Sequence, residues 1–492
     1  KLAETKPASA LTAADRTRLH TQAASILRET RALDPLDAWA RLLAGKPPGC
    51  DLQTALDLAH DFARAGLYPE AIALLTSTQA SRGDLPDQSW GAEPMVQYTL
   101  GWLHRQHGDS TTARHFCQRA AALPSDYCFP SRLEEIAVLE AVMQLQPDDP
   151  KAPCYLGNLL YDRRRHADAI NLWERSARLD PTCSVVWRNL GIGYFNIRHQ
   201  PARARTAYDR AFRANPSDAR LLFERDQLWK RLGEKPARRL RELERHPDLV
   251  RQRDDLSVEL CALYNQVGQS DQALALVSSR HFQPWEGGEG GPLGQWTRSH
   301  LLLGRSALTR GEAAQARDHF EAALTAPRNL GEARHLLANQ SDLHYWLGCA
   351  LAALGDSKRA REHWRNAATF RGDFQEMRVR AFSEMTYYSA LAWAKLGRDA
   401  QSRKLLRDLL AYARTLHKSD ARIDYFATSL PTLLLFDDDL QSRQDTTALF
   451  LEAQARLGLG QTSRAQTLLR TVLQRDPNHP RAADLAAERG QP

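Results

Sequence analysis

Apolar residues along most of this chain return at i, i+3, i+4 and i+7, the spacing that lines one face of an α-helix. The pattern is itself periodic. Trp187, Leu190-Gly191 and Tyr194 are followed by Ala204, Tyr208, Ala211 and Pro216. This predicts a helix with a small residue and aromatics at fixed offsets, a second helix, and a proline stop. One unit earlier stand Leu156-Gly157, Ala169, Trp173, Ser176 and Pro181, and the closing prolines Pro147, Pro181 and Pro216 lie 34 and 35 residues apart. The register continues through Leu100-Gly101 with Gly108, Ala113 and Ala120, and through Leu303-Gly304 with Gly311, Ala316, Phe320 and Ala323. It returns at Leu347-Gly348 with Gly355, Ala360, Trp364 and Ala367, and at Ala453, Gly460, Ala465 and Pro477. Weaker units surround Gly66, Gly268 and Gly397, and one near Gly233 is degenerate. The small residue lets the second helix approach the first, and the large residues fill the contact. Each pair leaves an apolar edge that only the next pair covers, so the units stack.

These residues resemble the tetratricopeptide repeat, W-x2-L-G-x2-Y…A-x3-F-x2-A…P, with one extra residue between the two helices of the Trp187 unit. The likeness runs from about Asp51 to Pro480. It implies an all-α fold: a right-handed superhelix, or α-solenoid, of about ten helix pairs. It also implies a scaffold that holds a protein or peptide on its concave face, which the first helix of each pair lines.

Three interruptions break the period. Residues 1–50 carry helical pattern without a complete unit and read as an N-terminal cap or a link to a further domain. Gly304 and Gly348 are 44 residues apart, about ten more than one repeat needs, with the excess near Arg328 to Glu332. Between Arg280 and Trp296 the run Trp285-Glu-Gly-Gly-Glu-Gly-Gly cannot be a continuous helix, since each glycine costs about 1 kcal/mol relative to Ala. The expected organisation is therefore a cap over 1–50, an array over 51–284, a loop insertion over 285–296, and a second array with its own cap over 297–492. The loop offers Trp285, Glu286, Glu289 and Trp296 as binding residues, because rigid aromatics and carboxylates on a flexible connector suit a lid or docking surface. The same stretch, with Leu330-Gly-Glu332 and Asp342-x-x-Tyr345, resembles the C-terminal tetratricopeptide region of large bacterial proteins that begin with a β-rich domain suspected of carbohydrate processing. That resemblance implies the alternative function: an accessory region beside a sugar-binding site, in a chain that continues upstream of Lys1.

On the first helices, groove-facing positions carry Asn158, Asn189 and Arg220. The carboxylate clamp of peptide-binding tetratricopeptide proteins is absent, because Cys154 replaces a cation and Glu224 would repel a carboxylate. Tyr345 and Trp346 in one unit, and Tyr387 and Tyr388 in the next, would line an aromatic groove, one of each pair being core.

Composition adds mainly exclusions. The chain has 492 residues, 43% of them hydrophobic, 25% charged, and a net charge of +7, ordinary globular values that point to no nucleic-acid partner. No apolar run is long enough to cross a membrane. The seven cysteines are scattered with no CxxC pair, which argues against a disulfide framework or zinc site, suits a reducing cytoplasmic compartment, and casts them as small core residues. Asp437-Asp438-Asp439 lacks the spaced ligands of a calcium loop, and the histidines form no HExxH and no regular metal spacing. Phosphate-loop, dinucleotide and nucleophile-elbow motifs are missing too. The basic runs Arg163-Arg164-Arg165 and Arg238-Arg239 read as solvated surface. No cofactor, metal or catalytic residue is therefore expected, and the open ends of the stack make a dimer plausible.

Overall fold

The computed structural model describes residues 51–80, 91–285, 287–375, 378–422 and 435–488. The expected cap over 1–50 lies outside them, as does Glu286. The chain divides into two compact units, the first ending at Ala214 and the second beginning at Asn215. The Gly-rich loop thus sits inside the second unit rather than between two arrays.

In the first unit α1 (Leu52–Arg64) pairs with α2 (Tyr68–Ala80), and α3 (Glu93–Gln106) with α4 (Ser110–Ala122). A single helix, α5 (Glu134–Leu145), precedes the pair α6 (Lys151–Asp162) and α7 (His166–Leu179). Next come α8 (Ser184–Ile192) and α9 (Pro201–Ala214). Asp51 and Asp109 cap α1 and α4 by accepting from the backbone of Thr54 and Thr112, satisfying amides the first turn leaves free. The repeat glycine works by close approach: a Cβ at Gly157 would stand 2.5 Å from the Trp173 ring. The extra residue of the Trp187 unit is absorbed by a π-helical turn, Gly193–Ile197, at the end of α8.

The second unit starts with α10 (Ala219–Arg231), α11 (Pro236–Glu244) and the short α12 (Pro247–Gln252). It continues as α13 (Asp254–Gln266) with α14 (Ser270–Ser279), α15 (Gly291–Thr309) with α16 (Ala313–Ala323), and α17 (Ser341–Ala353) with α18 (Ser357–Thr369). A two-stranded antiparallel hairpin follows, β1 (Asp373–Gln375) with β2 (Arg378–Arg380), the one departure from all-α among the described residues. Then come α19 (Met385–Lys395) with α20 (Asp399–Lys418), α21 (Leu440–Gly458) with α22 (Thr462–Arg475), and a last helix, α23 (Pro480–Glu488).

The end of the second unit returns to its beginning. Arg239 on α11 is 1% exposed, although its run reads as surface from sequence. Its guanidinium donates to both oxygens of Asp226 at 3.0 and 2.5 Å, to Glu259 at 2.6 Å, and to Asn478 in the turn before α23 at 2.8 Å. Lys230 donates to the same Glu259 at 3.0 Å. These cations hold the Glu259 carboxyl far below its ordinary range against the opposing push of burial. Arg231 pairs with Asp438, so the aspartate run serves this closure and the N-cap of α21 rather than a cation.

Candidate functional site

The first helices of the second unit line one inner face, and α23 lies on it. Arg298, near the middle of α15, grips Asp484 of α23 with a two-pronged fork: Nε to Oδ2 at 2.9 Å and Nη2 to Oδ1 at 2.7 Å. Two turns along the same helix, Arg305 donates to Glu488 at 2.8 Å and to the carbonyl of Asp484 at 3.2 Å. Its guanidinium also lies 5.3 Å from the centre of the Trp346 ring. Asp342 of α17 accepts from Arg481 at 3.5 Å. Gln266 of α13 donates to the carbonyls of Pro477 and His479, just before α23. Ala482 and Leu485 of α23 join one apolar cluster with Tyr387, Tyr388 and Phe450, against which Tyr345 and Trp346 pack.

This places the four predicted groove aromatics together and corrects their setting. Tyr387 is 1% and Tyr388 7% exposed, while Tyr345 and Trp346 are half-buried. They lie beneath a helix rather than in an open groove. Burial pushes the Tyr388 hydroxyl well above its ordinary pKa, so it stays neutral. A nine-residue helix with four alanines is slim enough to fit against the first helices.

The Gly-rich loop is built differently from the expectation. The helix begins at Gly291, so Trp296 belongs to α15, where its Nε1 donates to the carbonyl of Ala322 at 3.2 Å and its ring meets His300 at 4.3 Å. Trp296 is therefore a packing residue of the α15–α16 contact. Glu289 accepts from the amide of Gly287, and the Trp285 ring lies directly over Gly288, where a Cβ has no room. Glu332 anchors the start of α15, accepting from Gly290 and Leu293 at 2.6 Å each.

Glu332 belongs to the other interruption, the 44-residue unit, and the two interruptions interlock. Phe282 donates to Asn329 at 2.8 Å, and Asn329 donates back to the carbonyls of Val277 and Arg280. Gly331 is left-handed, and a Cβ there would strike the carbonyl of Phe282. The next connection joins in the same way. The His335 ring stacks on Phe374 of β1 at 3.9 Å, and Asn339 binds Asp373 and the carbonyl of Gly372. Three successive connections thus form one bonded edge. It exposes Leu336, Leu337 and Val379.

In the first unit Asn158 and Asn189 are brought together: Asn189 donates to Asn158 Oδ1 at 2.9 Å, and so does Trp173 at 3.0 Å. Arg220 is exposed and pairs with Glu224 at 2.7 Å, within the second unit. A cleft of about 510 Å³ opens beside Trp187 and Tyr194, with Arg203 stacked 4.1 Å from the Tyr194 ring and Arg210 4.5 Å from that of Trp187. Cys117, Cys128 and Cys261 are buried, and burial pushes each thiol up to about 12, which suits packing and not nucleophilic work.

Sequence reasoning missed the histidines. His300 and His319 face each other Nδ1 to Nδ1 at 3.0 Å, and His344 and His363 repeat the contact at 2.9 Å. Each pair joins the two helices of one repeat, and both rings shift by 44 residues from one repeat to the next. That shared offset, equal to the Gly304–Gly348 spacing, was the available signal. Among the described residues no group of three or more His, Cys, Asp or Glu could hold a metal ion, and no helix is long and apolar enough to cross a membrane.

Family models described as tetratricopeptide repeat match residues 56–127 and 447–479. The chain is 34% identical over 107 residues to the mouse protein O-mannosyl-transferase TMTC1, a stretch that spans 20% of this chain and 11% of that protein. Similar solved structures include YrrB, a tetratricopeptide protein with an unusual peptide-binding site (13% identity, 46% of this chain and 97% of that one, TM-score 0.29). They also include a tetratricopeptide protein from Parabacteroides merdae (15%, 61% and 98%, TM-score 0.26) and the Naa15/Naa10 complex bound to HypK-THB (14%, 81% and 61%, TM-score 0.36). Residues 56–127 and 447–479 are thus tetratricopeptide repeats, and the described helix pairs between them keep the same period and seat a repeat glycine against an aromatic of the second helix.

Proposed function

We propose that the chain is an interaction scaffold whose binding surface is the inner face of the second unit, with the interlocked edge carrying Trp285, Leu336 and Leu337 as a second contact. Tetratricopeptide-repeat proteins are in general scaffolds for protein partners. The observation that carries the reading is the helical segment already held on that face by Arg298, Arg305 and Asp342 above Tyr388. A surface that grips one helix through forked arginines and an aromatic floor has the chemistry of helix-in-groove recognition. The edge supports the reading by its exposure: Leu336 is 96% exposed, an unusual setting for leucine in a bonded loop. Glu289 is engaged within its own loop, which leaves little to favour sugar handling.

The test is quantitative recovery of partners by mass spectrometry with the intact chain, Arg298→Glu, and the pair Leu336→Ser with Trp285→Ala. A partner retained by the intact chain should fall on the order of tenfold with Arg298→Glu, a loss of roughly 1.4 kcal/mol or more. The edge variant should lose part of it. Equal recovery by all three at unchanged thermal stability would remove both surfaces from the proposal.

A further inference from the structure

We infer that α23 is a built-in stand-in for the partner, and that the inner face of the second unit is made for an acidic amphipathic helix supplied by another protein. The inference rests on the scaffold reading and adds the partner's chemistry and its control.

The pattern is written in α23. Ala482, Leu485 and Ala486 are buried at i, i+3 and i+4, one narrow apolar stripe. Asp484 and Glu488 stand four residues apart, one turn along the same side. The receiving face matches feature by feature. Arg298 and Arg305 lie seven residues apart on one helix, two turns, and each takes one carboxylate. Both arginine side chains are largely shielded, at 11% and 10% exposure, and their acids at 14% and 19%. That shielding belongs to the docked state: any occupant that covered both guanidinium groups without supplying anions would bury them unpaired, which is costly, so the face favours an acidic occupant. Arg305 also donates to the Asp484 carbonyl, so it touches the helix backbone as well as its side-chain charge.

The stand-in is also releasable. Nine residues are fewer than the ~12–15 an isolated helix needs in water, so α23 holds its helix only while docked. Pro480 opens it, which sets a natural break after the Asn478 anchor. Release of residues 480–488 breaks none of the bonds of Arg239 to Asp226, Glu259 and Asn478, which lie outside that segment. A partner helix bearing two carboxylates one turn apart, beside an Ala/Leu stripe, would take over Arg298 and Arg305 and the Tyr388 floor.

The probe is a labelled synthetic peptide of residues 478–492, titrated by fluorescence anisotropy. Against the intact chain it must displace α23 and should bind weakly. Against the full chain carrying Asp484→Arg and Glu488→Arg, whose own helix is repelled, it should bind at least tenfold tighter. Adding Arg298→Glu and Arg305→Glu should abolish that binding. A peptide with Gln at both acidic positions tests the chemistry separately: equal affinity would overturn the acidic preference while leaving the scaffold reading standing. Equal binding of the native peptide to the intact and released chains would overturn the stand-in role. A released chain that binds neither peptide at unchanged thermal stability would overturn both. If the released variant proves poorly folded, saturating peptide on the intact chain should instead raise amide exchange in 480–488, and no change there would count equally against the inference. A shift to dimer on release, with no peptide bound, would assign the face to a second copy of this chain and overturn the foreign partner.

Discussion

The two units solve the same packing problem and finish it in opposite ways. In the first, α1 to α9 stack by small-against-large contacts such as Gly157 on Trp173, and the polar bonds between repeats reach no farther than Arg132 to Asp57 and Asp61 of α1 among those described. Asn189 bonds Asn158, and Arg203 bonds Glu174 at 2.9 Å with its side chain half exposed. In the second unit the same repeats bring the chain end back to Arg239 and Arg298, and charges become buried or shielded. An identical local code therefore leaves one stack without a return of its last helix to its first among the described residues and makes the other self-closing. The difference lies in residues outside the period: the interlocked connections and the segment from Pro477 to Glu488.

The comparison can be broken most sharply at its ion pairs. Arg239→Ala would leave Asp226 and Glu259 buried without their shared cation, and should cost the second unit about 3–5 kcal/mol. Arg203→Ala, in the first unit, should cost less than about 1 kcal/mol. Urea denaturation of each variant gives both values, and equal losses would erase the contrast.

A pH dependence should arise in both units and be larger in the second, since burial also holds His60 of the first unit down to about 4. Burial, reinforced by the facing ring, holds His300 and His344 down to about 4, below the usual histidine value of 6.5. His319 and His363 are lowered as well, chiefly by burial. A lowered histidine pKa means that the unfolded chain binds the proton first. Stability is then complete above about 6.5 and declines as the pH falls toward 4, by on the order of 3 kcal/mol for each of His300 and His344. Replacing His300 and His319 with Gln and Asn should flatten part of that decline in thermal melts taken across the window. An unchanged profile would dismiss the pair.

Close approach of the helices should matter in both units. Gly157→Ala and Gly304→Ala each push a Cβ to 2.5 Å from an aromatic ring, and each should destabilise by about 1–3 kcal/mol. Smallest is a gain. Arg164 holds a left-handed φ of 61° at the turn where other repeats place glycine, so Arg164→Gly should stabilise the first unit by roughly 1 kcal/mol.

The repeat was legible because its signals are local. Leu156-Gly157 and Trp173 announce a contact within one helix pair, and the helices form where the spacing predicts. Within the predicted site, the pairing of Tyr345 and Trp346 with Tyr387 and Tyr388 also followed from register. What escaped depends on return distances no period encodes. Arg239 meets Asn478 across 239 residues, and Arg298 meets Asp484 across 186. In sequence Asp484 and Glu488 are ordinary surface acids, and Arg239 one arginine in a basic run. The Gly-rich loop is legible as an interruption, but its partner, Glu332, lies in a second interruption 42 residues beyond Gly290. From sequence Trp296 falls in a loop because Gly291 and Gly294 weaken the helix that contains it, a preference overridden by Pro292 in the first turn and by the Glu332 anchor.

The central claim is that the second unit holds its own last helix on its inner face through Arg298 and Arg305. Amide hydrogen exchange of the intact chain, read segment by segment, tests it most directly. Residues 480–488 should be protected in the wild type, and Arg298→Glu with Arg305→Glu should raise their exchange by on the order of tenfold or more while α21 and α22 stay protected. Rapid exchange of 480–488 in the wild type, or protection that survives both substitutions, would contradict the claim.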